Sequence, residues 1–136
     1  MDLGPTVLRD LHYVVLFVED LERSLGFYRN TLGLEVRHRA EGYAELAVNG
    51  PKFALLERWR VPALVGNAEA LRPPAGAHEG EVAFLVDDVD AVYSQLRARD
   101  VVFVSAPTDR PWSQRTAYFK DPDGHLIEIA QNLKRA

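Results

Sequence analysis

Apolar and polar positions along the chain fall into two runs with the same order. Leu11 to Val18 (LHYVVLFV) is a continuous apolar, β-branched stretch of strand length, closed by Glu19 and Asp20, and it predicts a buried strand. Asp20 is placed to cap a helix of about three turns. Its apolar residues Leu21, Leu25, Phe27, Tyr28 and Leu32 recur at three- and four-residue steps before Gly33 stops it. Three shorter strand-like segments follow, Leu34 to Arg39, Tyr43 to Val48 and Phe53 to Leu56. Glu41-Gly42 and Asn49-Gly50-Pro51 separate them as turns.

From Trp59 to Glu79 the chain is rich in Ala, Pro and Gly and holds no sustained period, which predicts a connection. The first order then returns. Glu81 to Val86 (EVAFLV) reads as a strand, Asp87-Asp88 as a cap, and Val89, Val92, Tyr93 and Leu96 as one face of a helix ending near Asp100. Val101 to Val104, Thr116 to Lys120 and Leu126 to Ala130 supply three more strands, the last two joined by the turn Asp121-Pro122-Asp123-Gly124. Aligning Val18-Glu19-Asp20-Leu21 with Val86-Asp87-Asp88-Val89, and Gly50 with Gly124, leaves the second half six residues longer between these anchors. The loop Ser105 to Gln114, with Pro107, Pro111 and Trp112, is expected to hold the excess. The pattern is a duplicated βαβββ unit of α+β class: one module over about 11–57, a linker over about 58–80 and a second module over about 81–131, together a single domain.

Composition narrows the chemistry. The 136 residues are 47% apolar, enough for one domain with a proper core. The absence of cysteine removes disulfides, thiolate metal sites and a cysteine nucleophile. The acids and proline of Met1 to Asp10 do not resemble an export signal, and no apolar run has membrane-spanning length, so a cytoplasmic protein without a membrane partner is expected. Sixteen Lys and Arg against twenty Asp and Glu, with no basic run, argue against nucleic acid. No phosphate loop, dinucleotide fingerprint or Ser-His-Asp order is present.

Three segments in order, VEDLERSLGFYRNTLGLEV, VAFLVDDVDAVYSQLRARDVVFV and RTAYFKDPDGHLIEIAQ, resemble the vicinal oxygen chelate superfamily, which includes glyoxalase I, fosfomycin-resistance proteins, extradiol dioxygenases and bleomycin-resistance proteins. The resemblance covers nearly the whole chain. It implies a curved eight-stranded sheet around a cup that takes a small-molecule ligand, frequently in a homodimer. It also implies where metal ligands would stand: seven residues before each helix-capping aspartate and four after each turn glycine. Those positions here are Tyr13, Ala54, Glu81 and Glu128, two carboxylates with no imidazole. His12 adjoins Tyr13 but alternates to the other side of a regular strand, unless a bulge re-aims it.

Two functional readings follow. In one, a metal-free binder holds a planar, cationic or amine-bearing compound, with Tyr13, Val15, Phe17, Ala54, Trp112 and Arg115 lining the cup beside Glu81 and Glu128. In the other, His12, Glu81 and Glu128 hold one divalent ion (Zn, Ni, Mn or Fe) for lyase, isomerase or dioxygenase chemistry, with Glu81 and Glu128 as the catalytic carboxylates. Tyr13 and Ala54 at ligand positions favour the first. Glu81 and Glu128 have a plainer role open to them as partners of Arg115 or Lys120. Trp59 and Trp112 fit a subunit interface as well as a cup, and His38, His78 and His125 are expected to be exposed.

Overall fold

The computed structural model describes residues 8–66 and 80–134. The chain forms two compact units that divide between Arg72 and Pro73, one βαβββ module in each. His78 and most of the expected linker lie outside the described residues. The linker's beginning is not featureless, because a 3₁₀ turn at Arg58–Arg60 leads into a short helix, α2 (Val61–Val65).

In the first unit β1 (Tyr13–Val18) pairs in parallel with β4 (Lys52–Glu57), and β4, β3 (Tyr43–Leu46) and β2 (Val36–Ala40) are successively antiparallel. The sheet order is β1-β4-β3-β2. A parallel pair needs a crossover, and the helix after β1 supplies it. That helix begins as expected at Asp20, whose carboxylate accepts from Arg23 N–H at 3.2 Å. It is not uniformly α, however. After α1 (Leu21–Leu25) the chain widens into a π-helical turn, Gly26–Thr31, which buries Tyr28 completely and sets its ring edge-on to Phe53 at 5.5 Å. Gly33, at φ 82°, then takes the left-handed conformation that ends the helix.

The second unit repeats the topology with β5 (Glu81–Leu85), α3 (Val89–Ala98), β6 (Phe103–Arg110), β7 (Gln114–Lys120) and β8 (Leu126–Asn132), in the order β5-β8-β7-β6. The extra residues of this half are not a loop. Phe103–Arg110 is one irregular strand, so the β6–β7 hairpin is simply longer than β2–β3. Pro107 is tolerated because β6 is an edge strand and its register shifts between Ser105 and Thr108. At the other turn the buried Asp121 carboxylate accepts from Asp123 N–H at 3.0 Å and His125 N–H at 2.8 Å, and lies 2.7 Å from His125 Nδ1. His125 is therefore part of the turn and not a freely exposed side chain.

Alternation assigns each sheet two faces. One carries the module's own helix: Val14, Leu16, Val18, Phe53 and Leu55 in the first unit, and Val82, Phe84, Ala117, Phe119, Ile127 and Ile129 in the second, where Tyr93 of α3 meets Phe103 at 4.5 Å. The far face carries residues of the other parity.

A matched brace holds each helix to its sheet. The N–H of Leu21 donates to Glu57 Oε2 at 2.8 Å, and the N–H of Val89 donates to Gln131 Oε1 at 2.9 Å, both across a part-buried gap. Each bond satisfies a helix-end donor that has no partner within the helix. Glu57→Ala is expected to lower the unfolding free energy by about 1–2 kcal/mol, whereas Glu57→Gln keeps most of it, since an amide does this work in the second unit. Urea unfolding monitored by circular dichroism measures both; equal losses for Ala and Gln would show that the acceptor is not what matters.

Candidate functional site

The polar residues of interest gather on the far face of the second unit. Its floor is made by β8 and β5, where Glu128 lies directly across from Ala83, and Leu85 across from Ala130. Glu128 is 7% exposed. On its other side Tyr118 of β7 is its cross-strand partner, and the Tyr118 hydroxyl hydrogen-bonds the Glu128 carboxylate. That bond, ahead of partial burial and the negative charge of Glu128, holds the phenol above its ordinary range. Glu81 stands at the start of β5, with partial burial first and the Glu128 charge second raising its carboxyl above the usual range. Among the described residues neither Glu81 nor Glu128 forms an ion pair, although Lys120 shares the cross-strand row of Leu126 and Glu81.

Arg110, which sequence reasoning passed over, lies on this face as well. Its Nε donates to the buried Thr116 hydroxyl at 2.8 Å, its Nη2 to Ser105 Oγ at 3.4 Å, and its guanidinium sits 5.7 Å from the centre of the Tyr118 ring. Trp112, at the tip of the β6–β7 hairpin and 60% exposed, is tied by its indole N–H to Gln114 Oε1 at 3.1 Å, and Gln114 in turn bonds Asn132 on the same face. Arg115 is elsewhere. Odd-numbered β7 residues point to the helix side, and Arg115 there grips Asp90 at 3.1 Å and Asp109 at 3.0 Å. Those two carboxylates raise its basicity further. It is a clamp on the start of α3, not a partner of Glu81 or Glu128 and not a lining residue of the far face.

In the first unit Tyr13, Val15 and Phe17 share the far face with Ala54, as alternation required. The β1–β4 ladder runs from Tyr13 to Val18 without a register shift, so there is no bulge to re-aim His12. His12 precedes the strand, is exposed, and meets Tyr13 edge-on at 4.8 Å. Ala54 is fully buried, and its β3 neighbour on this face is Glu45, 6% exposed, with Arg37 at 3.5 Å. The carboxylate missing from β4 is thus found one strand over, a feature invisible without the register. Tyr43, on the same face, is held above the ordinary phenol range by burial first, then by Tyr13 and Glu45. Trp59, 60% exposed, donates its indole N–H to Glu57 Oε1 at 2.9 Å. Among the described residues no three His, Cys, Asp or Glu side chains cluster as a metal site.

Residues 10–129 match the family described as the Glyoxalase/Bleomycin resistance protein/Dioxygenase superfamily, and this chain belongs to it. It is 36% identical over 122 residues to the uncharacterized protein YraH of Bacillus subtilis, covering 87% of this chain and 94% of that protein. A bleomycin resistance protein of Geobacillus stearothermophilus is 26% identical over 127 residues (86% and 92% covered), and the metallothiol transferase FosB of Lysinibacillus sphaericus 26% over 124 (90% and 82%). A glyoxalase/bleomycin resistance protein/dioxygenase from Nocardioides superposes with a TM-score of 0.80 at 31% identity, covering 97% of this chain and 89% of that one. These likenesses fit the duplicated βαβββ topology. No helix among the described residues is long and apolar enough to cross a membrane.

The raised Glu81 carboxyl has a thermodynamic consequence. The folded chain binds that proton more tightly than the unfolded chain, so Glu81 costs stability above its folded pKa and costs nothing below the ordinary carboxylate value of about 4.3. Glu81→Gln is expected to raise the melting temperature at about pH 7, with the gain vanishing as the pH falls through the carboxylate range. A gain that does not change with pH, or a loss at neutral pH, would contradict a raised Glu81 carboxyl.

Proposed function

We propose that the chain binds a small, amine-bearing planar molecule on the far face of its second module, without a histidine-based metal centre. One observation carries this reading: two carboxylates, Glu81 and Glu128, face the same surface, close enough that the charge of Glu128 adds to partial burial in holding Glu81 above its ordinary range, and neither has an ion-pair partner among the described residues. A protonated amine relieves that repulsion and donates hydrogen bonds to the carboxylates, since an ammonium is all donor and an ionised carboxylate all acceptor. Tyr118 fixes Glu128 for the purpose, and the tethered Trp112 offers a ring for a planar body to stack on.

The positions where metal-using relatives would carry ligands do not suit a metal ion here. Tyr13 and Ala54 contribute a phenol and a methyl, and His12 stays outside the strand's regular ladder. Two carboxylates without imidazole fall short of the donor sets that catalytic zinc and oxygenase iron use. The bleomycin resistance protein among the relatives agrees with a binding role, while the relative named a metallothiol transferase supports the rival reading of a metal-dependent enzyme.

Calorimetry with benzylamine as the probe, together with elemental analysis after incubation with Zn, Ni, Mn and Fe(II) and desalting, separates the two. Benzylamine affinity is expected to fall about tenfold in Glu128→Gln, with metal at background in both proteins. About one metal ion per chain, lost in Glu128→Gln, would replace the binder with the metal-dependent reading.

A further inference from the structure

Arg110 is a half-buried cation without a carboxylate partner among the described residues. Such a group ordinarily finds a counter-ion or turns to solvent, because its charge is costly to desolvate alone. Here it has no counter-ion among the described residues and only part of it reaches solvent. The buried Thr116 hydroxyl takes its Nε–H, Ser105 takes an Nη2–H, and the plane rests by the Tyr118 ring. Two neutral acceptors and an aromatic face orient the guanidinium but leave its charge unneutralised and most of its five donors unspent. Contrast Arg115, five residues along, whose charge is taken up by Asp90 and Asp109. An oriented guanidinium with no carboxylate partner among the described residues and donors to spare is suited to receive an oxyanion, and its planar fork matches a carboxylate.

We propose that Arg110 is the anion-recognising half of the site on the second module, so that the ligand carries a carboxylate as well as the amine. This rests on the reading of Glu81 and Glu128 above, but it stands on separate residues. Tyr118 links the halves: its hydroxyl bonds Glu128 while its ring lies beneath Arg110, so the opposite charges occupy the two strands that flank β7. A zwitterionic molecule placed across Tyr118 meets both, and a purely cationic one is repelled by Arg110. The favoured class is therefore small aromatic amino acids and similar amphoteric compounds, distinguished from simple amines by the guanidinium.

Three matched probes test this: benzylamine, benzoate and 4-(aminomethyl)benzoate, each titrated into ¹⁵N-labelled protein and followed at the amides of β6 to β8. The amphoteric probe is expected to bind tightest. Arg110→Gln should weaken benzoate and 4-(aminomethyl)benzoate about tenfold while leaving benzylamine unchanged or tighter. Glu128→Gln should do the converse. Thr116→Val keeps the charge but frees the guanidinium, and a several-fold loss is expected for benzoate and 4-(aminomethyl)benzoate but not for benzylamine; it serves equally if Arg110→Gln fails to fold. Benzoate binding unchanged in both variants at position 110 and position 116, or an amphoteric probe no tighter than benzylamine, would overturn the proposal. If benzylamine ignores Glu128→Gln while benzoate still depends on Arg110, the amine half fails and the carboxylate half survives.

Discussion

Each module depends on one bond between the first N–H of its helix and a side chain at the end of its last strand. Glu57 serves α1 and Gln131 serves α3. The geometry explains the pairing. A parallel pair of strands needs a crossover helix, the helix starts where the first strand ends, and the fourth strand ends beside it. Any acceptor at that place closes the crossover against the sheet, whether charged or neutral. Once the helix is fixed on one side, parity does the rest, because every apolar residue facing the helix leaves its neighbours along the strand on the far face.

That parity is why the modules have the same frame and different chemistry. In register, Tyr13 matches Glu81, Val15 matches Ala83, Ala54 matches Glu128, Glu45 matches Tyr118 and Tyr43 matches Thr116. The second unit sets its carboxylate on the strand that pairs with β5 and the phenol on the next one out. The first unit has the carboxylate on the outer strand and a methyl in the middle. Glu45 answers to Arg37, but Glu128 answers only to a tyrosine among the described residues, so the electrostatic tension stays in one module.

Most of this frame was readable from the chain. Continuous apolar runs of strand length ended by acid pairs marked β1 and β5, Asp20 and Asp88 capped as expected, and the turn glycines fell where the strands reverse. Three features were not readable, each for a physical reason. The π-helical turn at Gly26–Thr31 preserves the apolar spacing of an α-helix closely enough that the pattern does not distinguish them. Ser105–Arg110 carries a proline and polar residues, and passes for a loop until one knows that it is a bulged edge strand. The placing of Arg115 and Arg110 depends on parity: with β7 in register, Arg115 points to the helix and Arg110 reaches the far face from the strand next door.

The distinction between the two arginines also bears on what kind of site this is. A metal site of carboxylates gains from nearby acids and neutral donors, and a guanidinium beside it opposes the ion. A site for a zwitterion needs opposite charges held apart by something rigid that keeps them from collapsing onto each other. Tyr118 has that role in the geometry: its hydroxyl engages Glu128 and its ring sits by Arg110, and the two charges make no direct ion pair. An acid and a base on the two strands that flank Tyr118, unpaired among the described residues and each held by neutral neighbours, would under the proposal above keep their interaction energy for a ligand.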